Sequence, residues 1–158
     1  MTNVVLAGLG GQGVLKASDI LAEAAFRAGL DVKKAEVHGM SQRGGSVSSD
    51  VRFGHLVLSP MVPPGRADFL VVLEADQVDN NRWQLAPGGV LLTVDCIDVD
   101  KLANKRSINV AMLGARSRRL DIPPTEWLAA IKANLPAKLH EANEQAFAVG
   151  EGVAAGQK

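Results

Sequence analysis

The stretch that most constrains this chain is "GLGGQG", Gly8 to Gly13. It follows a short continuous apolar run, "NVVLAG" (3–8), and leads into a helical pattern from Val14. In "VLKASDILAEAAFRAGL", Val14, Ala17, Leu21, Ala24, Ala25 and Ala28 recur at three- and four-residue steps, the period of one helix face. Most of that face is alanine, which permits close packing on a sheet, and Gly29 is a good stop. A strand passed through a glycine turn into a helix opens a parallel α/β unit. Gly8, Gly10 and Gly13 fit the Gly-x-Gly-x-x-Gly spacing. That spacing allows a tight turn and close backbone approach, and the helix N-terminus offers free N–H groups to a phosphate. The dinucleotide form also wants an acid at the end of the second strand, where Glu36 is placed roughly right. The same residues suit a tight turn that holds no ligand.

The rest of the chain continues in short elements. "DVKKAEV" (31–37) reads as the second strand. "SVSSDVRFG" (46–54) alternates, with Val47, Ser49, Val51 and Phe53 on one face and Ser48, Asp50 and Arg52 on the other. That is a half-buried strand. "HLVLS" (55–59) is expected to pair with it across Gly54-His55, making a hairpin inserted after the second strand. "PMVPPGRAD" (60–68) is proline-rich and must be a loop, and "FLVVLEA" (69–75) is a buried strand. Residues 76–89 form a short helix closed by Pro87-Gly88-Gly89, and "VLLTVD" (90–95) and "INVAML" (108–113) add two strands. "PPTEWLAAIKANLP" is a helix with Thr125 as a cap and Pro136 as its stop, and "AKLHEANEQAFAVG" is a last amphipathic helix. The expected fold is α/β: one Rossmann-like three-layer domain over residues 1–158, with a mixed, mostly parallel sheet and an inserted β-hairpin.

Charge and composition narrow the function. The 17 basic and 17 acidic residues cancel, which gives no support for nucleic acid as the main partner. No stretch approaches the roughly 20 apolar residues of a membrane span. The start has no basic leader region and reads as a first strand, so no signal peptide is expected. A lone cysteine, Cys96, fits a reducing cytoplasm. It cannot form an intrachain disulfide or supply the roughly four ligands of an iron–sulfur cluster. His38, His55, His140 and Cys96 lack metal-ligand spacing. Trp83 and Trp127 read as core or interface anchors, and "RSRR" (116–119) as a solvated face or a carboxylate contact. Glu74 and Asp76, at a strand end, are candidate active-site acids, although capping or solvated roles suit them better. Spacing reveals no nucleophile–base pair.

"HGMSQRGGSV" (38–47) is longer and more polar than a hairpin needs. Gly44-Gly45 can supply positive φ, and Arg43 beside them can present a fork of donors to a carboxylate or phosphate. A long solvated loop is the plainer reading.

Taken together, "GLGGQGV", then "HGMSQRGGSV" about 25 residues later, then "VR.G", "AD.LV.LE" and "GG.LL" in order resemble the gamma subunit or domain of 2-oxoacid:ferredoxin oxidoreductases. The resemblance runs over nearly the whole chain. "GMSQRGG" looks like the indolepyruvate type. Pyruvate and 2-oxoglutarate relatives tend to carry Pro-Glu where this chain has Ser41-Gln42. The resemblance implies a subunit of an enzyme that decarboxylates a 2-oxoacid oxidatively to an acyl-CoA and passes electrons to ferredoxin. Thiamine diphosphate, magnesium, iron–sulfur clusters and coenzyme A are expected in the complex, none bound by this chain alone. The cofactors would sit on a larger catalytic partner, and contacts between copies of this chain are also allowed. Gly8, Gly10, Gly11, Gln12, Gly13, Met40, Ser41, Gln42, Arg43, Gly44 and Gly45 would bind a cofactor or flank the partner's active site, with no catalytic or metal residue on this chain. Against this stand a free-standing NAD(P)-dependent dehydrogenase, suggested by the glycine fingerprint, and a nucleotide- or CoA-binding module.

Overall fold

The structure, a computed structural model, describes residues 1–40 and 44–156. Strand β1 (Thr2–Leu9) lies in the middle of a five-stranded sheet. The order across it is β2 (Asp31–His38), β3 (Ser46–Gly54), β1, β4 (Ala67–Val72) and β5 (Leu85–Thr93). β1 pairs in parallel with β4, and β4 with β5. β3 runs antiparallel to both β1 and β2. Four strands therefore point one way and β3 alone opposes them, so the sheet is mixed, as expected.

Side-chain alternation along the strands divides the core. Val4, Leu6, Val51, Phe53, Val71 and Leu92 face the large cluster, which is roofed by α1 (Val14–Arg27), α3 (Ile108–Ser117), α4 (Pro124–Asn134) and α5 (His140–Gly156). Helix α1 buries Ile20 and Leu21 completely, and a fully buried aliphatic side chain of that size contributes about 1.5–3 kcal/mol. Val5, Leu70 and Val72 point to the opposite face, where they meet Val62, Ala67 and Val78 in a smaller cluster. That third layer is thin. It consists of the 55–66 loop and a short helical stretch: a 3-10 turn at Ala75–Gln77, α2 (Val78–Asn81) and a 3-10 turn at Arg82–Gln84.

Four expectations are corrected. Residues 55–59 form no strand, and β3 makes its hairpin with β2 instead. The reason lies in where the backbone of the 55–62 loop finds partners. The Val57 N–H donates to the Asp31 carboxylate at 2.7 Å, and the Val62 N–H to the Asp50 carboxylate at 2.8 Å. Arg52 donates to the carbonyls of Ser59 and Met61 at 2.9 and 3.1 Å. Backbone groups satisfied by side chains need no ladder.

The second correction is that "INVAML" is not a strand but the first part of helix α3. Residues 109–115 are all buried, and a helix buried all round carries a continuous apolar run that periodicity cannot tell from a strand. The third is that Thr125 does not cap α4. The cap position is Pro123, followed by Pro124, with no side-chain bond; proline suits the first helical position because its missing N–H would be unpaired there.

β5 also begins earlier than expected, at Leu85, and takes in Pro87-Gly88-Gly89, with a register irregularity between Ala67 and Phe69 of β4. Trp127 is a core anchor, 1% exposed, with its ring 5.4 Å from that of Phe147. Trp83 is 60% exposed.

Candidate functional site

The two glycine segments meet at the end of the sheet where β1 and β4 finish. Gly13, at φ +80°, is the cap of α1 in the left-handed region that favours glycine. Gly11 is at φ +89°. No acid lies in the first turn of α1 and no side chain caps it, so its leading N–H groups, which have no intrahelical partner, face the turn. The Gly10 N–H donates to the Gly45 carbonyl at 2.9 Å, and a Cβ on Gly10 would lie 3.5 Å from the Gly44 nitrogen. Gly44 is at φ +64°. At the start of the second segment, the Gly39 N–H donates to the Ser46 carbonyl at 2.6 Å.

Side chains from three other elements hold the turn. Gln12 folds back so that its Oε1 accepts from the Leu9 N–H at 2.8 Å, while its Nε2 donates to Glu74 Oε2 at 2.7 Å. Ser46 donates to Gln77 Oε1 at 2.9 Å. Asn109, at the start of α3 and 7% exposed, donates from Nδ2 to the Gly13 carbonyl at 3.0 Å and accepts the Val110 N–H on Oδ1 at 2.9 Å. Two open clefts flank the turn. One, about 420 Å³, is lined by Leu9, Gly10, Gly13, Lys16, His38 and Val47 among others. The other, about 490 Å³, is lined by Gly11, Gln12, Gly13, Leu73, Arg106 and Ile108.

Of the residues singled out in the sequence, Gly8, Gly10, Gly11, Gln12, Gly13, Gly44 and Gly45 therefore come together. Met40 is fully exposed beside them. Ser41, Gln42 and Arg43 lie outside the described residues. Glu74 belongs to the cluster through Gln12, whereas Asp76 is exposed. Asn109, Gln77, Ser46 and Arg106 were not singled out. For Asn109 a signal existed, a polar residue inside the apolar run "INVAML".

The dinucleotide geometry is not reproduced. In that arrangement the acid ends a strand adjacent to β1. Here β3 stands between β1 and β2, and each strand adds about 4.8 Å. Glu36 is also engaged: it bridges to Lys34 and lies 3.5 Å from His38. Its bond with Lys34 holds its carboxyl below the usual range, against a weaker upward push from burial. Burial works against the Lys34 ammonium, but the bonds to Asp19 and Glu36 outweigh it and hold its pKa above the ordinary value.

Away from the turn, Cys96 is half-buried, and burial pushes its thiol up against the pull of Arg116. Among the described residues no three His, Cys, Asp or Glu side chains gather in a metal-binding arrangement, and no helix is long and apolar enough to cross a membrane.

The chain has known relatives over nearly its whole length. Residues 3–152 fit the family described as pyruvate ferredoxin/flavodoxin oxidoreductase. The chain belongs to that family. It is 35% identical to the indolepyruvate oxidoreductase subunit IorB of Thermococcus kodakarensis, over 94% of this chain and 93% of that one. It is 29% identical to the subunit of the same name from Methanothermobacter thermautotrophicus, over 97% of each. Among solved structures it resembles the gamma subunit of a keto/oxoacid ferredoxin oxidoreductase from Geobacter sulfurreducens, with a TM-score of 0.82, 25% identity and 99% of both chains covered.

Proposed function

We propose that this chain is the subunit of a 2-oxoacid:ferredoxin oxidoreductase that carries no cofactor of its own and flanks the active site of a larger catalytic partner. The observation that carries the reading is the end-to-end similarity to IorB subunits. The same similarity, with Ser41-Gln42 before Arg43-Gly44-Gly45, favours an aryl-pyruvate such as indolepyruvate as the substrate of the complex. The reaction is oxidative decarboxylation to an acyl-CoA, with ferredoxin as electron acceptor and the cytoplasm as its setting.

The donor set of this chain does not fit the redox and thiamine groups. One half-buried cysteine falls short of the roughly four thiolates of a cluster. The sequence also has no Gly-Asp-Gly segment followed by an asparagine to hold magnesium and a diphosphate. Thiamine diphosphate, magnesium and the clusters therefore belong to the partner. This chain contributes a braced wall. The Gly10–Gly13 turn, with Met40 and Gly44–Gly45, forms the surface that the partner's backbone approaches closely, while Gly8, expected to flank that site, is buried behind it against Gln12 and Leu73. Arg43, with Ser41 and Gln42, would meet an acid of the partner or an anionic group of substrate or coenzyme A.

The test is co-expression with the larger catalytic chain, followed by size-exclusion chromatography and a dye-reduction assay with indolepyruvate, pyruvate and 2-oxoglutarate. Co-elution and turnover fastest with indolepyruvate are expected. A chain that neither co-elutes with that partner nor raises its turnover has a different function.

A further inference from the structure

The stretch that follows β4 does something the glycine motifs alone do not explain. β4 continues past Val72, because the Leu73 N–H donates to the Ala7 carbonyl at 2.8 Å. Glu74 is still extended, at φ −138° and ψ 124°, and then the chain tightens into the 3-10 turn at Ala75–Gln77, closed by the Gln77 N–H on the Glu74 carbonyl at 3.0 Å. That turn fixes Glu74 and Gln77 relative to each other, and each takes hold of a different glycine segment. Glu74 accepts the Gln12 amide of the first, and Gln77 accepts the Ser46 hydroxyl beside the second. Gly8 belongs to the same device. A Cβ there would lie 2.8 Å from Gln12 Oε1 and 3.1 Å from Leu73 Cβ, so only glycine lets Gln12 fold back to reach both Leu9 and Glu74.

We propose that Glu74 and Gln77 are positioning residues: together they clamp the Gly8–Gly13 turn and the Gly44–Ser46 segment into one rigid surface for the partner chain, with Glu74 acting through the Gln12 amide rather than as an acid. Glycine-rich backbone has the most conformational freedom to lose, and a surface ordered before docking spares that loss on binding. The role of Glu74 is to accept a hydrogen bond, which a neutral amide oxygen also does. Its charge is not needed.

This inference rests on the subunit reading, so the experiment is run in the assembled complex with wild-type assembly and turnover as its reference. The variants are Glu74→Gln, Glu74→Ala, Gln12→Ala and the Glu74→Ala/Gln12→Ala pair. Partner affinity is measured by titration, and dye reduction with the 2-oxoacid is measured across pH. Glu74→Ala is expected to weaken partner affinity about two- to tenfold, the range for losing one hydrogen bond, and Gln12→Ala, which also loses the Leu9 bond, by at least as much. The double variant is expected to be no worse than Gln12→Ala alone, which already removes the Glu74 bond along with the one from Leu9. Glu74→Gln is expected to keep affinity and an unshifted pH profile.

A Glu74→Gln complex as impaired as Glu74→Ala, or with a displaced pH profile, would overturn the inference and make Glu74 an acid in its own right. Additive losses, or no loss in any variant, would also overturn it. If Glu74→Ala does not fold, Gln12→Ala and Glu74→Gln decide the matter. Failure of the wild-type chain to assemble is a separate result and removes the subunit reading itself.

Discussion

Gly13 carries two constraints at once. Its φ of +80° disfavours any side chain, and a Cβ would lie 2.5 Å from Asn109 Nδ2. Gly13→Ala therefore costs about 1–2 kcal/mol for the left-handed backbone, plus the displacement of a buried amide. Adding Asn109→Ala should relieve the second cost and leave the first, so the pair should melt above the sum of the single losses. Simple addition of the two melting shifts would mean that the residues do not touch. The carboxylates under the 55–62 loop make an acid-range prediction. The Val57 N–H, and then Lys33, hold Asp31 below its ordinary pKa of 3.8. Stability from Asp31 is therefore full above that value and is lost as pH falls through the lower folded one. Burial pushes Asp50 the other way, against the Val62 N–H and Arg52, so its contribution is fullest at low pH and declines as pH rises above 3.8. Thermal melts between pH 2 and pH 7 should show Asp31→Asn flattening the acid-side loss. Asp50→Asn should instead remove the decline above pH 3.8. An Asp31→Asn chain that keeps the full acid-side loss would discard the first assignment.

At the scale of elements, α3 and α5 approach backbone to backbone. A Cβ on Gly150 would collide with the Ala111 carbonyl oxygen and lie 2.8 Å from the Ala115 nitrogen, and one on Gly114 would collide with the Phe147 carbonyl. Gly152, also in α5, has nothing within 4 Å. Gly150→Ala should therefore destabilise by about 1–3 kcal/mol or more through overpacking. Gly152→Ala should stabilise by about 0.5–1 kcal/mol, because alanine has less backbone entropy to lose in a helix. Denaturant melts of the two variants should move in opposite directions, and a Gly150→Ala chain as stable as wild type would mean that the helices are not in contact there. The opening strand, turn and helix were legible because glycine spacing and a three-to-four-residue period are local signals. Helix α3 was not, because burial on all sides removes the period that marks a helix. The partner of β3 was not either: it depended on Asp31 and Asp50 capturing the backbone of the following loop, a pairing no local pattern encodes. The glycine segments were each visible in the sequence, but their contact through Gly10 and Gly45 was visible only in three dimensions. Glu74 was noticed for its charge, whereas the fold uses it as an acceptor for Gln12.

Strand order decides what the whole molecule can bind and do alone. β3 separates β2 from β1, and Glu36 is taken up by Lys34, so the acid that would hold a ribose lies away from the glycine turn. NAD(H) titrated into the chain by calorimetry should give no saturable binding at micromolar concentrations. A micromolar dissociation constant would restore the dehydrogenase reading. Electron transfer meets the same limit. Cluster iron needs thiolates, and the thiolate is the ligating form, yet burial drives the one thiol, Cys96, away from it. The chain purified without its partner should be colourless, contain no iron and reduce no viologen dye with any 2-oxoacid. Mixed with the larger catalytic chain, the same preparation should gain 2-oxoacid-dependent dye reduction that saturates as the partner is titrated. A brown preparation of the chain alone, or turnover before the partner is added, would mean that the redox chemistry resides here after all.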